Sequence, residues 1–461
     1  MTHESASKLA DPYRLQGQRV IVAGLGVSGQ AACVLALSRG AQVIAVDESS
    51  DARAEARAAS LRLKGIEVMT GWNPSVNLPL ALLVVLSPGI PPEGRLGKAL
   101  SEISSKLIGE LEFGLRHLPC PILAITGTNG KTTSTELAEH CLNGIGLKAV
   151  ACGNIGFAAS ELAMAENPPD FAIAEVSSFQ LDTLDETRFA AGVILNVTPD
   201  HWDRYPCPSD YTRSKLRLAL ISKRCAASLQ VSRLPEAAEL AFDLVFDKDG
   251  ELSCSFRRQG DELILSPCGM RLHLLDQPLR GGHNAENLLA VLALGHMVGL
   301  DPAALFRAAG SFKLARHRQE EVLNKNGIVY INDSKSTNPD AMSQAILRFG
   351  REERRALILI AGGRDKMMDF SIVSPLLPPY VKSILTYGES ATLLTRLWSD
   401  LVPCTSCESF DAAVEAAMIA ARDGDAVLLS PGCASLDCFS SYAQRGDRFT
   451  EIVQRSPLHA L

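Results

Sequence analysis

Short apolar runs recur along the chain, and most end at a glycine or a polar residue that opens a longer mixed stretch. Residues 19–23 form such a run and pass into Gly24-Leu25-Gly26-Val27-Ser28-Gly29, followed by a helical pattern over 30–39. A second run over 42–46 ends at Asp47, and a third over 82–86 ends in Ser87-Pro88-Gly89-Ile90. The pattern repeats over 122–126, which feeds a glycine-rich turn and a helix over 131–142, and again over 171–175 and 192–197. Residues 228–274 carry only weak, short strand signals. Further runs at 328–332, 356–361, 383–387 and 426–429 make a last series. Strands that are apolar throughout, alternating with helices, predict parallel sheets covered on both faces.

Two breaks divide this α/β pattern. His117-Leu118-Pro119-Cys120-Pro121 blocks helix continuation, and a new series begins near Lys313. The expected organisation is an N-terminal Rossmann-like domain over 1–118, a central domain over 119–313 and a C-terminal Rossmann-like domain over 314–461. The length of 461 residues agrees, at about 150 residues for each domain.

Composition narrows the function classes. The hydrophobic fraction of 46% and charged fraction of 21% are ordinary for globular domains. The net charge of −7 argues against a general nucleic-acid binder, which carries basic surfaces. The N-terminus lacks the apolar core of a secretory signal, and no apolar run is long enough for a membrane span. A cytoplasmic protein without membrane insertion is expected. The twelve cysteines are scattered and read as buried thiols. Cys404-Thr405-Ser406-Cys407 is a C-x-x-C without the second pair that a zinc site requires.

The strongest chemical signal is Gly127-Thr128-Asn129-Gly130-Lys131-Thr132-Thr133, placed between a strand and a helix. Backbone N–H groups and the helix dipole converge on an anion there, and glycines allow its close approach. Lys131 is expected on the β and γ phosphates of ATP, and Thr132 on Mg²⁺. The loop is Gly-x-x-Gly-Lys-Thr; Ile125 stands where the longer phosphate-loop motif has its first glycine. The central domain is therefore read as P-loop ATPase-like. Glu175 ends a strand of the same domain, and a carboxylate suits a hard cation. Asp200-His201-Trp202-Asp203-Arg204 follows another strand, and Lys215 lies on a predicted helix. Alone, Glu175 reads as a surface carboxylate and Lys215 as a solvated lysine. Gly24-x-Gly26-x-x-Gly29 with Asp47 ending the next strand also fits a nicotinamide dinucleotide site, so a dehydrogenase stays open on this domain alone.

Taken together, the motifs resemble the Mur ligase family, the ATP-dependent amide ligases of peptidoglycan precursor synthesis. In the family's order stand the phosphate loop, Gly153-Asn154-Ile155-Gly156, Glu175-x-Ser177-Ser178-Phe179-Gln180 and Asp200-His201. His283-Asn284-x-x-Asn287, His317-Arg318-x-Glu320 and Asp333-Ser334-Lys335-Ser336-Thr337-Asn338 follow. The last of these, with Leu429-Ser430-Pro431-Gly432-Cys433-Ala434-Ser435-Leu436-Asp437, resembles the D-glutamate-adding members.

The resemblance implies substrates, cofactors and roles. The substrates are ATP, UDP-N-acetylmuramoyl-L-alanine and D-glutamate, joined through an acyl phosphate. ATP contacts are implied for the loop 127–133, Asn284, Asn287, Arg318 and Asp333. The UDP-sugar contacts implied are Val27, Ser28, Asp47, Ser87, Gly89 and Asn154. D-Glutamate contacts are implied for Lys335, Thr337, Lys366, Ser435 and Tyr442. Two Mg²⁺ sites are implied, drawing on Thr132, Glu175, His201 and Lys215, the last as a carbamate. Lys131, His201 and Lys215 form the implied catalytic set, and the protein is expected to be a monomer. Glu48-Ser49 stands where some relatives carry Thr-Arg, and Tyr442 where relatives often carry Phe. A sibling ligase with another acceptor, a folylpolyglutamate-type ligase and an ATP-binding protein without turnover remain the competing readings.

Overall fold

The structure is a computed structural model that describes residues 15–201, 204–205, 207–274, 279, 282–350 and 354–455. The chain separates into two compact units. One holds Met1–Val197 and Thr212–Phe312; the other holds Thr198–Tyr211 and Lys313–Leu461.

Two sheets build the first unit. Strands β1 (Arg19–Ala23), β2 (Gln42–Asp47), β3 (Glu67–Thr70), β4 (Ala81–Leu86) and β5 (Ser104–Gly109) form a parallel sheet in the order β3-β2-β1-β4-β5. Central β1 and β4 are buried almost throughout, because helices cover both faces of a parallel sheet. The strand order reverses beside β1, and the polar ends of β1, β2 and β4 open there, where α/β sheets bind ligands. The helix after β1 spans Val27–Ser38, starting three residues earlier than its apolar pattern predicts. Its first turn includes Gly29, where a Cβ would fall 1.8 Å from the carbonyl oxygen of Gly24. Only glycine allows the helix to begin that close to the strand end.

The second sheet takes in β6 (Ile122–Thr126), β7 (Ala149–Gly153), β8 (Phe171–Glu175), β9 (Ala191–Ile194), β10 (Cys225–Ser228), β11 (Leu244–Asp247), β12 (Phe256–Gln259), β13 (Glu262–Leu265) and β14 (Met270–His273). Its order is β14-β13-β12-β11-β10-β9-β6-β8-β7, with parallel pairing from β7 to β12 and antiparallel pairing beyond. The weak signals over 228–274 are thus the short strands that extend one side of this sheet. Strand β9 ends at Ile194, before the predicted 197; Leu195 still bonds Thr126, but the chain then turns toward the phosphate loop. Buried Glu112 accepts the backbone N–H groups of Glu186 and Thr187, tying the N-terminal segment to the central one.

The second unit has one sheet. Strands β15 (Glu320–Lys325), β16 (Ile328–Asn332), β17 (Leu357–Gly362), β18 (Val381–Tyr387), β19 (Cys404–Ser406) and β20 (Ala426–Gly432) lie in the order β15-β16-β20-β17-β18-β19. Only β15 runs antiparallel to its neighbour. Apolar side chains cover both faces: Leu359, Phe370 and Trp398 belong to one core, and Tyr387, Phe410 and Phe449 to the other. Cys404 stands on edge strand β19, where burial pushes its thiol up to about 11. Among the described residues no cysteine is in a disulfide, and no helix is long and apolar enough to cross a membrane.

Candidate active site

The phosphate loop leaves β6 at Thr126 and enters the helix Lys131–Gly144. Gly127 has φ +156° and Gly130 has φ +83°, values that favour glycine. A Cβ at Gly130 would fall 2.5 Å from Oδ1 of Asn287, so that carboxamide sits against the loop. Asn196, just past β9, braces the loop from the other side. Its Oδ1 accepts the N–H groups of Thr128 (3.1 Å) and Asn129 (2.8 Å), and its Nδ2 donates to the Asn129 carbonyl (3.1 Å). Asn196 was not anticipated, although a polar residue following a central strand is the kind of signal that marks such sites.

Two lysines meet on this loop. Lys131 donates to the carbonyls of Gly127 and Thr128, both at 2.8 Å. Lys215, on the helix Pro208–Ile221, is 1% exposed and donates to the same Gly127 carbonyl at 2.8 Å. The reading of Lys215 as a solvated lysine is therefore wrong: its helix turns it inward beneath the loop. Two ammonium groups sharing one carbonyl oxygen repel each other, and burial weakens the screening.

Glu175 ends β8 and is 1% exposed, so it is no surface carboxylate. Its Oε1 accepts Nδ2 of Asn154 at 2.7 Å, whereas its buried Oε2 has no hydrogen-bond partner among the described residues. An unpartnered carboxylate oxygen out of water is costly unless a cation completes it. The residues therefore fit a divalent cation, with Glu175 and the nearly buried Thr132 hydroxyl as oxygen donors. No group of three or more His, Cys, Asp or Glu stands as a ready-made metal cage among the described residues. The C-x-x-C over 404–407 gains no metal partner there either. Asn284 and Asn287 share the helix Gly282–Met297, and Asn287 Oδ1 accepts Ser134 Oγ at 3.2 Å. The His283 side chain, Trp202 and Asp203 lie outside the described residues.

A separate cavity of about 470 Å³ opens at the polar ends of β1, β2 and β4. It brings together Val27, Ser28, Asp47, Ser87 and Gly89, and adds Trp72, which sequence reasoning missed. Asp47 accepts the N–H of Leu25 (2.6 Å) and of Ser49 (2.8 Å), which fixes the glycine turn. Asn154 is not among the lining residues; it stands on Glu175 in the second sheet. Glu48 pairs with Arg95 at 3.2 Å.

The second unit holds the remaining residues. His201 adopts φ +57°, and its N–H bonds the carboxylate of Asp200 (2.8 Å). Asp200 also lies 3.6 Å from Lys366 Nζ and 3.5 Å from Asn338 Nδ2. Glu175 and Lys215 thus fall in the first unit and His201 in the second. Lys335 donates to the Tyr442 hydroxyl (3.0 Å) and stands 4.2 Å from the centre of that ring. Thr337 is half-buried and Ser435 buried. Asp333 accepts Ser430 Oγ (2.9 Å) and the N–H of Gln319 (3.2 Å). Burial pushes its carboxyl up to about 7, against the pull of these bonds and of Arg318 and Arg348. His317 Nδ1 accepts from Asn332 Nδ2 (3.0 Å), and burial holds its imidazole below the usual range.

Comparison with known proteins places the chain in a family. Residues 125–295 match the Mur ligase middle domain, and 317–433 match the Mur ligase glutamate ligase domain. The chain is 33% identical over 453 residues to the UDP-N-acetylmuramoylalanine–D-glutamate ligase of Koribacter versatilis, covering 96% of this chain and 98% of that one. It is 35% identical over 444 residues to the ligase of the same name from Protochlamydia amoebophila, covering 95% and 98%. Among solved structures, the UDP-N-acetylmuramate-alanine ligase of Thermotoga maritima superposes with a TM-score of 0.61 at 17% identity, covering 95% of this chain and 99% of that one. That likeness speaks for the fold. The chain belongs to the Mur ligase family. It is accordingly an ATP-dependent ligase, and the dehydrogenase reading of its N-terminal glycine turn falls.

Proposed function

We infer that the protein joins D-glutamate to UDP-N-acetylmuramoyl-L-alanine at the expense of ATP, an acid–D-amino-acid ligation in peptidoglycan precursor synthesis. The observation that carries this reading is similarity over nearly the whole chain to relatives bearing that name. A reaction that consumes ATP and a nucleotide-linked sugar belongs in the cytoplasm.

A carboxylate is a poor electrophile, so its oxygen first attacks the γ-phosphorus of ATP and ADP departs. The amine of D-glutamate then attacks the acyl carbon, phosphate leaves, and the amine gives up a proton. Positioning and charge neutralisation dominate the first step. The loop 127–133 holds the phosphates through its N–H groups, and Lys131 swings from its own loop carbonyls onto the β and γ oxygens. Asn284 and Asn287 serve the adenine, and the family resemblance gives Arg318 and Asp333 as further nucleotide contacts. Glu175 and Thr132 would hold Mg²⁺, which would supply Lewis-acid neutralisation of the phosphate oxygens, and His201 would hold a second ion.

Lys215 is proposed to act as a carbamate. Carbamylation turns the second ammonium on the Gly127 carbonyl into an anion with two oxygens, which removes the repulsion from Lys131 and suits a hard cation. Val27, Ser28, Asp47, Ser87 and Gly89 receive the UDP-sugar in the N-terminal cavity, and Asn154, hydrogen-bonded to Glu175, is a further proposed contact. Lys335, Thr337, Lys366, Ser435 and Tyr442 bind D-glutamate, whose two carboxylates match cations and hydroxyls.

An isotope experiment tests the chemistry. UDP-N-acetylmuramoyl-L-alanine labelled with ¹⁸O in its carboxylate should pass one label to the released phosphate, and the product should gain one glutamyl residue by mass. Unlabelled phosphate would exclude the acyl phosphate; an unchanged product mass would exclude the ligation.

A further inference from the structure

The five side chains proposed for D-glutamate come from four separated stretches of the second unit. Lys335 and Thr337 follow β16, Lys366 follows β17, Ser435 follows β20, and Tyr442 opens the helix Tyr442–Arg455. Loops that meet only in space need something to fix their relative positions. All four converge on Arg445, one turn into that helix.

Arg445 is 0% exposed. Its Nε donates to Ser334 Oγ (2.9 Å) and its Nη2 to the Ser334 carbonyl (2.8 Å), directly before Lys335. Nη1 and Nη2 both donate to the Cys433 carbonyl (3.1 and 3.2 Å), two residues before Ser435. Nη1 also reaches the buried Tyr387 hydroxyl (3.3 Å). Ser334 Oγ passes the link on to the Tyr442 carbonyl at 2.8 Å. The fourth stretch backs onto the same group: a Cβ at Gly363 would fall 3.2 Å from Arg445 Nη1, and backbone bonds between Arg364 and Ala434 tie that loop to the Cys433–Ser435 turn.

Every one of these acceptors is neutral, and no carboxylate of the described residues pairs with Arg445. A guanidinium cannot shed its charge, and holding it out of water against dipoles alone is costly. Its donors are spent on the backbone and hydroxyl oxygens of the acceptor loops, which fixes those loops in position.

We propose that Arg445 is the positioning residue of the acceptor site: its planar fork holds the Lys335, Lys366, Ser435 and Tyr442 segments in register. This rests on the D-glutamate reading above for the acceptor's identity, but the register it describes holds for any acceptor bound by these loops.

The test is steady-state kinetics of the full-length Arg445→Lys variant, which keeps the charge but cannot reproduce the planar five-donor fork. The KM for D-glutamate should rise about tenfold or more, while the KM for UDP-N-acetylmuramoyl-L-alanine stays within about twofold. An unchanged D-glutamate KM, or both KM values rising together, overturns the proposal. If Arg445→Lys does not yield folded protein, Tyr387→Phe removes one acceptor and leaves the other bonds. It should raise the D-glutamate KM about twofold to threefold and no other, and no change there overturns the proposal equally. Wild-type protein inert toward D-glutamate would defeat the assigned acceptor instead, and the same KM ratio would then be read with the acceptor it does use.

Discussion

The phosphate loop of the first unit and the acceptor loops of the second both gather positive charge for an anionic ligand, and they are assembled differently. The phosphate loop is one contiguous segment. Its glycines, its lysine and its helix N-terminus lie within a few residues of each other, and Asn196 and Asn287 brace it from outside. The acceptor region has no such segment. Its side chains arrive from four strand or helix ends and owe their register to Arg445. A contiguous site is secured mainly by local backbone geometry, whereas a dispersed one is secured by tertiary contacts. The first should therefore fail by losing one group, and the second by losing register.

The largest effect is expected at the contiguous site. Lys131→Ala should lower turnover at saturating ATP by about a thousandfold, since it removes charge stabilisation from the phosphoryl transfer. Phosphate release within a few-fold of wild type would remove the loop from the mechanism. Next comes Lys215→Ala, expected to lower turnover about a hundredfold and to recover in part when short carboxylates such as acetate are added. Loss without any rescue would favour an ammonium role over a carbamate.

The dispersed site is probed more gently. Asp333 has its carboxyl raised to about 7 by burial, so the folded state holds its proton more tightly than the unfolded chain does. That contribution to stability is present below the ordinary carboxylate range near 4 and is lost as the pH rises toward 7. The thermal midpoint of Asp333→Asn should accordingly fall less between those pH values than that of wild type. Equal pH profiles would mean that Asp333 is not held in a desolvated site. A modest effect is expected for Tyr442→Phe, which keeps the ring over Lys335 and removes the hydroxyl bond. A rise of about fivefold in the D-glutamate KM is expected, worth about 1 kcal/mol. An unchanged KM would leave the cation–ring contact as the whole of the interaction.

The same contrast explains what the sequence revealed. The strands and the phosphate loop were legible because apolar runs and glycine spacing are local signals. The shift of the first helix start to Val27 was not, because it depends on how closely Gly29 approaches Gly24. The burial of Lys215 and the unpartnered oxygen of Glu175 were invisible as well, since each is set by residues distant in sequence. Lys335, Thr337, Lys366, Ser435 and Tyr442 were named from family resemblance. Nothing local to Arg445 distinguishes it from the charged residues that follow it on the same helix. Only its inward direction, toward Ser334 and Cys433, does so.

The most direct measurement of the central claim is phosphate release from ATP by the purified full-length protein with UDP-N-acetylmuramoyl-L-alanine and a panel of acceptors. Release that requires both the nucleotide sugar and D-glutamate is the predicted result. Comparable release with L-lysine, diaminopimelate or D-alanyl-D-alanine in place of D-glutamate, or no release with any acceptor, would contradict it.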